Sequence, residues 1–497
     1  MSELQYSIDA RGDLAAEVFA LLEELGRGKI HGVAYDTAWI ARLATRYPGY
    51  DFEESIEWLR HNQHEDGTWG ASQLHYHDRF VSTLAAVVAL QEAGTNGRDA
   101  RRVQRGEDAL WKLATHLGRD ASDTVGFPII STSLAQDATE LGLDIPRFPI
   151  RYEAAYKRKV QALLAQPNRD WRFNVISFSF EGLWRTIDDG DQVLEANYSV
   201  ASSPAATAAY LLNYPHEGAL NYLKSVREED GSVPAFAPND IFEIAWALNH
   251  LRSMGIVDPD MPVVRQVLDH VWEKWSPITG AHYSSYFQVP DLDITAACFS
   301  ILRWGGYPVE ADVFEYFEME DHFCNYRNET NPSATAHLRL LIALQDCPEH
   351  PRQPEWVEKV LKALHRFNQN DALWSDKWHT SSYYVSHLAI RALHRLDPEL
   401  AESHLKWIIK TQHADGGWGY MGASTPEETA YCIDSLLLWD RTVGRIDPAI
   451  IEKGVSFLSF HNDKRHYTPL WISKVLYTPH NIVKAAILSA LFQYMEW

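Results

Sequence analysis

The sequence predicts an all-α protein built from two related domains. The apolar residues of segment 483–491 recur at the spacing of a helix, and the alternation typical of strands is rare along the chain. The pattern Gln-x-x-Asp-Gly-x-Trp-Gly occurs twice, starting at Gln63 and at Gln412. The chain has 497 residues, which is too long for one ordinary core. A helical unit repeated in so long a chain therefore predicts two helical domains.

The repeated pattern is interpreted as a structural turn. In each copy the Asp-Gly pair can form the turn, and the Trp that follows can pack on the start of the next helix. Asp66 and Asp415 are accordingly expected to stabilise turns and to take no part in catalysis.

Composition excludes several classes of function. The formal charge of −22 argues against nucleic acid as a partner, because binding to phosphate backbones needs a basic surface. The four cysteines lack the close spacing of zinc ligands, which favours a reduced, cytoplasmic protein. The opening residues lack the features of a signal peptide, and no apolar run approaches the roughly 18 residues of a spanning helix. We therefore expect a cytoplasmic protein without a stable membrane span.

The segment Asp291-Leu292-Asp293-Ile294 places two carboxyl groups two residues apart at the start of an apolar, helix-like run. Two carboxylates held close together cannot both ionise at low cost, so one pKa rises and the pair titrates as a unit. A neutral carboxyl group of this kind can protonate a weak base such as a carbon–carbon double bond. The alternative is that an Asp simply caps the helix by accepting hydrogen bonds from its first amides. The pattern alone does not separate these two interpretations.

Further motifs accompany the acidic pair in a fixed order along the chain. They are Val33–Trp39, Gln63–Gly70, Ser203–Ala209, Asp230–Pro234, Pro238–Glu243, Asp376–His379, Ser382–Tyr384, Gln412–Gly419, Glu427–Tyr431 and Pro469–Tyr477. With this ordered set the chain resembles the class II terpene (diterpene) cyclases almost from end to end. Its closing motif resembles that of bacterial tuberculosinyl (halimadienyl) diphosphate synthases and related labdane- or clerodane-type synthases.

The resemblance implies an architecture of two α-barrels of the squalene–hopene cyclase type. The first barrel would be inserted near the N-terminus of the second, with the active site between them. The segment 254–262 is rich in residues that break helices and is the expected boundary. We therefore expect the acid-bearing barrel to comprise residues 1–25 and 258–497, and the inserted barrel to comprise residues 26–257.

The resemblance also implies a reaction. In the family the middle Asp of the acidic motif, here Asp293, protonates the terminal alkene of a prenyl diphosphate, and Asp291 would tune and orient it. The cation then closes rings while the diphosphate stays attached, inside a dry cavity with aromatic walls. Tyr283, Trp374 and Tyr477 are the aromatic residues expected there, with ordinary core packing as the alternative for each. Geranylgeranyl diphosphate is the expected substrate, and farnesyl diphosphate, giving a drimenyl-type product, is the alternative.

Two departures from the family pattern bear on the chemistry. Ile294 stands where the family has Asp or Thr, but that position is not the proton donor, so activity is expected to survive. Phe178 stands where plant copalyl diphosphate synthases carry a His that helps to hold the deprotonating water. We therefore expect hydride and methyl shifts and a halimadane or clerodane product, such as tuberculosinyl or kolavenyl diphosphate. His337 is expected to partner Asp293 or to act as the late base, unless a backbone group satisfies it.

A third departure concerns magnesium. Family members often carry, after a Gly-Phe pair, an acidic residue associated with Mg²⁺ and the diphosphate, but here Pro128 follows that pair. Mg²⁺ needs only one or two protein carboxylates, so nearby Asp123 is expected to compensate. Lys377 is expected to contact the diphosphate, with a surface charge as the alternative. The retained diphosphate implies that the product passes to a class I synthase or a phosphatase.

Three other classes of protein stay open on sequence grounds. An inverting glycoside hydrolase would need two carboxylates about 6.5–9.5 Å apart, which this close pair fits poorly. An ionising class I terpene synthase could use the cluster Asp188-Asp189-Gly190-Asp191, although its spacing is not that of the usual aspartate-rich metal motif. A non-catalytic helical scaffold would use the Trp turns only for stacking and would leave the ordered motifs unexplained.

Overall fold

In the computed structural model the described residues are 3–28, 30–94, 97–147, 149–165, 170–186, 192–327, 329, 332–367, 374–461 and 466–497. Their α-helices are α1 (Glu3–Glu24), α2 (Ala34–Arg46), α3 (Glu53–His61), α4 (Tyr76–Glu92), α5 (Gly97–Ala114), α6 (Phe127–Glu140), α7 (Ile150–Leu164), α8 (Pro204–Asn213), α9 (Glu217–Val226), α10 (Asp240–Leu251), α11 (Pro262–Lys274), α12 (Leu292–Trp304), α13 (Ala334–Gln345), α14 (Gln353–Phe367), α15 (Ser382–Leu393), α16 (Pro398–Lys410), α17 (Pro426–Thr442), α18 (Pro448–His461) and α19 (His480–Met495). Short 3₁₀ helices lie at Pro48–Tyr50, Trp171–Phe173, Val175–Gly182 and Ala311–Phe317, and β1 (Trp471–Ile472) pairs antiparallel with β2 (Leu476–Tyr477). The predicted all-α class is confirmed. No helix in these ranges combines the length and the apolar character needed to cross a membrane.

Six helices of the C-terminal part close a ring. Helices α10, α12, α13, α15, α17 and α19 each pack against the next, and α19 packs back against α10. Their outer partners α11, α14, α16 and α18 follow in the chain, and α1 packs against α19. The burial patterns explain the two layers. The inner helix α12 is buried continuously over 292–302, whereas the outer helix α14 buries only Trp356, Val360, Ala363 and Leu364, at amphipathic spacing.

A second ring comes earlier in the chain. It consists of α2, α4, α6, the 3₁₀ helix Val175–Gly182 and α8, which packs back against α2. Helices α3, α5, α7 and α9 pack on its members from outside. The predicted boundary after residue 257 assigns α10 to the inserted barrel. In the structure α10 packs against α12 and α19 and so closes the other ring. The breaker-rich segment 254–262 is only the turn between α10 and α11. We therefore propose that the inserted barrel ends before Asp240.

The two Asp-Gly turns have the same geometry. In each, the Asp accepts a hydrogen bond from the amide two residues later, at 3.0 Å. The indole N–H groups of Trp69 and Trp418 both donate, at 2.8 Å, to a carbonyl of the preceding helix. The glycine φ is +90° in one copy and +89° in the other, a conformation that side chains other than glycine rarely adopt. Asp66 and Asp415 are turn residues, as predicted.

The β1–β2 hairpin joins the two barrels. Leu476 N donates to Asp78 Oδ1 of α4 at 3.0 Å. Val125 N, from the loop before α6, donates to Ser473 O at 2.9 Å. The hairpin lies between α18 and α19 of the acid-bearing barrel but hydrogen-bonds to the inserted one, so it holds the space between the barrels in a defined shape.

A buried ion cluster extends this junction. Lys474, at the tip of the hairpin, places its ammonium 2.6 Å from Glu181 Oε1 and 2.6 Å from Ser203 Oγ. Tyr35 donates its hydroxyl proton to the same Glu181 oxygen at 2.9 Å. Lys474 and Glu181 are both fully buried. A charge pair so completely removed from water links the hairpin to the inserted barrel.

Candidate active site

A cavity lies between the two barrels. The wall is apolar and aromatic apart from two carboxyl groups and a few hydroxyl groups. Its residues are Val125, Val175, Phe178, Phe236, Phe242, Trp246, Tyr283, Phe287, Asp291, Asp293, Ile294, Tyr326, Trp378, Trp471, Ile472, Ser473 and Tyr477.

The acidic pair forms the start of α12. Asp291 is the N-cap, and its Oδ1 accepts hydrogen bonds from Asp293 N at 2.8 Å and from Ile294 N at 3.4 Å. Asn325 Oδ1 also accepts from Asp293 N, at 3.2 Å. Asp291 therefore caps the helix, as one interpretation predicted. Both carboxyl groups also line the cavity, as the other interpretation requires.

Asp293 is held as a neutral acid. Burial, reinforced by Asp291 and Asp376, raises the pKa of Asp293 to about 8 against the opposing charges of Arg339 and Lys377. Arg339 Nε lies 3.1 Å from Asp293 Oδ1, but neither atom makes an aligned hydrogen bond, so the contact is electrostatic. Asp293 is thus mostly protonated at neutral pH, and a cation is already in place to stabilise its carboxylate.

Other polar groups hold the pair in position. Asp376 accepts hydrogen bonds from Ser333 Oγ at 3.2 Å and from Thr335 Oγ1 at 2.9 Å. Burial raises the pKa of Asp291, while a hydrogen bond from the Tyr326 hydroxyl lowers it. Asp376 and Asp291 are therefore held by hydrogen bonds, whereas Asp293 has the electrostatic contact with Arg339.

Three predicted substrate-contacting residues line the cavity. Phe178, Tyr283 and Tyr477 all belong to its wall. They surround Phe236, whose ring centroid lies 5.3 Å from that of Tyr283 and 5.1 Å from that of Tyr477. The Tyr283 hydroxyl donates to Ala201 O at 2.6 Å, which leaves the ring free to contact a ligand.

His337 does not line the cavity, contrary to its predicted place beside Asp293. Its Nδ1 lies 2.7 Å from Ser333 O, and its Nε2 accepts from Phe323 N at 3.2 Å. Burial lowers the pKa of His337 to about 4. The backbone-satisfied alternative is therefore the one observed. Arg339 takes the expected place, because residues two apart on α13 point to opposite sides of the helix.

Trp374 does not line the cavity either, contrary to the prediction. Its ring packs on His404, with centroids 4.8 Å apart, and it is not part of the cavity wall. Trp378, four residues later, lines the cavity instead. The loop that contains both residues turns only the second toward the acidic pair.

Lys377 lies at the acid end of the cavity. It forms an ion pair with Glu329. Burial lowers the pKa of Lys377 to about 8, while Asp291 and Asp293 oppose that shift. A substrate whose terminal alkene meets Asp293 would carry its diphosphate at its other end. The position of Lys377 therefore argues against the predicted diphosphate contact and favours a role in stabilising the two carboxyl groups.

Asp123 lies two residues before Val125 of the cavity wall. Its Oδ1 is 2.9 Å from His77 Nε2, and its side chain is 46% exposed. The other ring nitrogen of His77 lies 2.6 Å from Asp120 Oδ2. His75, His77 and Asp120 offer ligand atoms within 4.8 Å of one another. The predicted metal residue thus contacts a group of three potential ligand side chains but is not one of them.

Sequence reasoning missed Arg339, Trp246 and Tyr326. Arg339 Cζ lies 3.9 Å from the ring centroid of Trp246, and Arg339 Nη2 donates to Tyr384 OH at 2.8 Å. No motif marks Arg339 or Tyr326, although Trp246 follows three residues after a recognised motif. The segment 188–191, on which the class I alternative rested, lies outside the described residues.

Comparisons with known proteins agree with this architecture. No protein-family model matches the chain. The chain is 35% identical over 493 residues to a type B diterpene cyclase of Mycobacterium tuberculosis, a match that covers 94% of this chain and 96% of that protein. It is 32% identical over 488 residues to an ent-copalyl diphosphate synthase of a Streptomyces species, covering 92% and 91% respectively.

Among solved structures, the ent-copalyl diphosphate synthase from Streptomyces platensis matches with a TM-score of 0.83 and 26% identity. That match covers 97% of this chain and 99% of the solved chain. Proteins this similar over nearly their whole lengths share a family, and the chain therefore belongs to the class II diterpene cyclases, which are enzymes.

Proposed function

We propose that this cyclase protonates the terminal alkene of geranylgeranyl diphosphate and closes it to a bicyclic diterpenyl diphosphate. The observation that carries the proposal is Asp293, a buried carboxyl group with a pKa of about 8 in the wall of an aromatic cavity. An alkene is a very weak base, so its proton donor must be neutral beforehand and stabilised as a carboxylate afterwards. The names of the two relatives support a diterpene-sized substrate.

The residues around Asp293 fit that role. When Asp293 gives up its proton, the carboxylate forms with Arg339 Nε at 3.1 Å and with the charge of Lys377 nearby. These cations are fixed before the reaction, so little reorganisation is needed when the negative charge develops. The aromatic faces stabilise the carbocation, and the apolar wall excludes the water that would capture it.

The proposed product is rearranged. The Phe178 ring, which packs at 6.3 Å from Phe236 and 6.4 Å from Tyr283, offers no proton acceptor. A bicyclic cation beside it therefore persists long enough for hydride and methyl shifts to a halimadane or clerodane skeleton. Because the product keeps its diphosphate, a class I synthase or a phosphatase is proposed to consume it. The four free, buried cysteines support a reducing, cytoplasmic setting.

The test is incubation of the purified protein with geranylgeranyl diphosphate and, separately, with farnesyl diphosphate in the presence of Mg²⁺. Products are dephosphorylated and identified by mass spectrometry and NMR. A cyclised alcohol from geranylgeranyl diphosphate is expected. Cyclisation of farnesyl diphosphate alone would favour the drimenyl-type alternative, and no cyclised product from either substrate would overturn the proposal.

The raised pKa of Asp293 predicts how the rate depends on pH. Because only the protonated acid is active and its pKa is about 8, kcat/KM is expected to be level below that pH. It should fall as pH rises further, by about tenfold per unit. The free energy of unfolding is also expected to fall as pH rises. The pKa of Asp293 is higher in the folded state than in the unfolded state, so its contribution to stability is lost as pH rises through the folded-state pKa. Initial rates measured across this pH range give kcat/KM, and circular dichroism shows whether the protein stays folded. A kcat/KM that rises through pH 8 would contradict the prediction.

Asp120 and Asp123 are two carboxylates beside the cavity that differ in their availability as ligands for Mg²⁺. Asp120 already accepts hydrogen bonds from the Tyr76 amide at 3.1 Å and the His77 amide at 2.9 Å, so it is poorly available. The Asp123 side chain is half-exposed, so its carboxylate is accessible to a metal ion, and Mg²⁺ prefers oxygen ligands of this kind. We propose that Asp123 holds Mg²⁺, which when bound would neutralise charge on the diphosphate.

Replacement of Asp123 by Asn is expected to raise the Mg²⁺ concentration for half-maximal rate at least about tenfold. The double-bond position of the product should not change, because Asp123 lies outside the cavity wall. Rates across a Mg²⁺ titration measure the effect, with Asp144→Asn as a matched control in the same barrel. An unchanged Mg²⁺ requirement would remove Asp123 from the metal site.

A further inference from the structure

Cyclisation without net gain or loss of a proton needs a base as well as an acid. Among the described residues of the cavity wall, the strong proton acceptors are the carboxyl groups of Asp291 and Asp293 once ionised. The remaining wall is apolar, aromatic or hydroxyl-bearing. The acid and the best available base therefore lie at the same end of the cavity.

The wall around Phe178 is unfavourable for the final proton transfer. The Lys474 ammonium lies 4.6 Å from the Phe178 ring centroid and is not part of the wall, so it sits behind the ring. Its partner Glu181, 2.6 Å away, is likewise behind the wall and cannot reach a ligand. Tyr283 is a neutral phenol, and its hydroxyl partner Ala201 O is a backbone carbonyl that gives it no base to which a proton could pass.

The charge distribution changes once Asp293 has donated its proton. The acid end then bears the carboxylate opposite the carbocation, and the attraction between them is strong in a low-dielectric cavity. Hydride and methyl shifts move the positive charge one carbon at a time. Enough shifts return it across the ring fusion to the carbon where the first cation formed, which is the neighbour of the protonated carbon.

We infer that the Asp291–Asp293 pair also ends the reaction, taking the last proton from the carbon that Asp293 first protonated. This inference rests on the proposed function. In the first step the O–H bond of Asp293 breaks and the alkene π electrons form a new C–H bond. In the last step a C–H bond at that carbon breaks, its electrons form the ring double bond, and the proton passes to a carboxylate. The product is an isomer of the substrate with a clerodane skeleton, and no proton is consumed.

The experiment is cyclisation of geranylgeranyl diphosphate in H₂O and in D₂O, with the product identified by NMR. In D₂O the protonated carbon receives deuterium on the face that is turned to the acidic pair, and the same pair then removes deuterium from that face. We expect this carbon to be vinylic in the product, with a double bond to the neighbouring quaternary-derived carbon, and to carry the hydrogen that it had in the substrate, so that no deuterium remains there. A product in which it stays a saturated CHD group, with the double bond or a hydroxyl elsewhere, would overturn the inference while leaving the cyclase function intact. Failure to cyclise would overturn the proposed function itself.

Variants locate the base. Phe178→His places an acceptor at the far wall, and we expect it to intercept the cation early, so that the protonated carbon stays saturated in most of the product. Phe178→Leu, which adds no acceptor, is the matched control and should keep the vinylic product. Tyr283→Phe should also keep it, even if the rate falls. A double bond displaced by Phe178→Leu or Tyr283→Phe would mean that water or the Tyr283 hydroxyl removes the proton, and would overturn the assignment to the acidic pair.

Discussion

Asp293→Asn is expected to lower the rate of cyclisation by at least about 10³-fold, because the amide cannot donate a proton to an alkene. The side chain keeps its size, and the backbone N–H of residue 293 donates to Asp291 Oδ1 and Asn325 Oδ1 irrespective of the change. Burial already keeps Asp293 mostly neutral, so the variant should unfold at nearly the wild-type temperature. Loss of activity would then reflect the missing proton and not a damaged fold.

Single-turnover reactions with product detection by mass spectrometry measure this effect. Asp415→Asn is the matched control, because it makes the same Asp-to-Asn change at a turn carboxylate that accepts from Gly417 N at 3.0 Å and is not part of the cavity wall. The control should retain activity. Cyclisation by Asp293→Asn at a rate close to wild type would refute the acid assignment.

Lys474→Ala is expected to lower the free energy of unfolding by about 3–5 kcal/mol, the usual cost of removing one partner from a buried ion pair. The change leaves the fully buried Glu181 carboxylate with the Tyr35 hydroxyl but without a counter-ion. Burial raises the pKa of Asp36 to about 8, and the Lys474 charge opposes that rise, so the change also removes a charge that favours the Asp36 carboxylate. Because the hairpin joins the barrels here, the junction itself should weaken.

Denaturant unfolding followed by circular dichroism and Trp fluorescence measures the loss, with each transition fitted separately because a two-barrel chain need not unfold in one step. Lys362→Ala is the control, because its pair with Glu358 is 70% exposed on the Lys side and should contribute less than about 1 kcal/mol. The double variant Lys474→Met with Glu181→Gln should recover much of the stability. A Lys474→Ala variant as stable as wild type would contradict the account.

Much of the architecture was predictable because its determinants are local. The helical period of the apolar residues and the repeated Asp-Gly-x-Trp turn depend on neighbours within a few residues. The same holds for Asp291, which reaches the amides of its own helix whatever the rest of the chain does. These features correctly indicated an all-α protein with two helical units and an acidic pair at a helix start.

The errors share a different cause. His337 and Trp374 were placed at the site from their distance to a motif. Arg339, two residues further on α13, contacts Asp293 instead, and Trp378, four residues further in the loop, lines the cavity. The domain boundary was placed at a run of helix breakers, which mark a turn but do not show which ring a helix closes. Arg339 and Trp378 occupy the expected places because of packing between segments distant in sequence.

The sequence by itself therefore determined the fold class, the family and the residue proposed as the acid, because these depend on residue type and short-range spacing. Only the tertiary structure decided that Asp293 is neutral, since its pKa depends on burial and on Arg339, Asp376 and Lys377 from other segments. It alone decided which aromatic rings face the cavity and which charge lies behind Phe178. Burial and electrostatics act through space, and no local pattern records which distant residues the fold brings together.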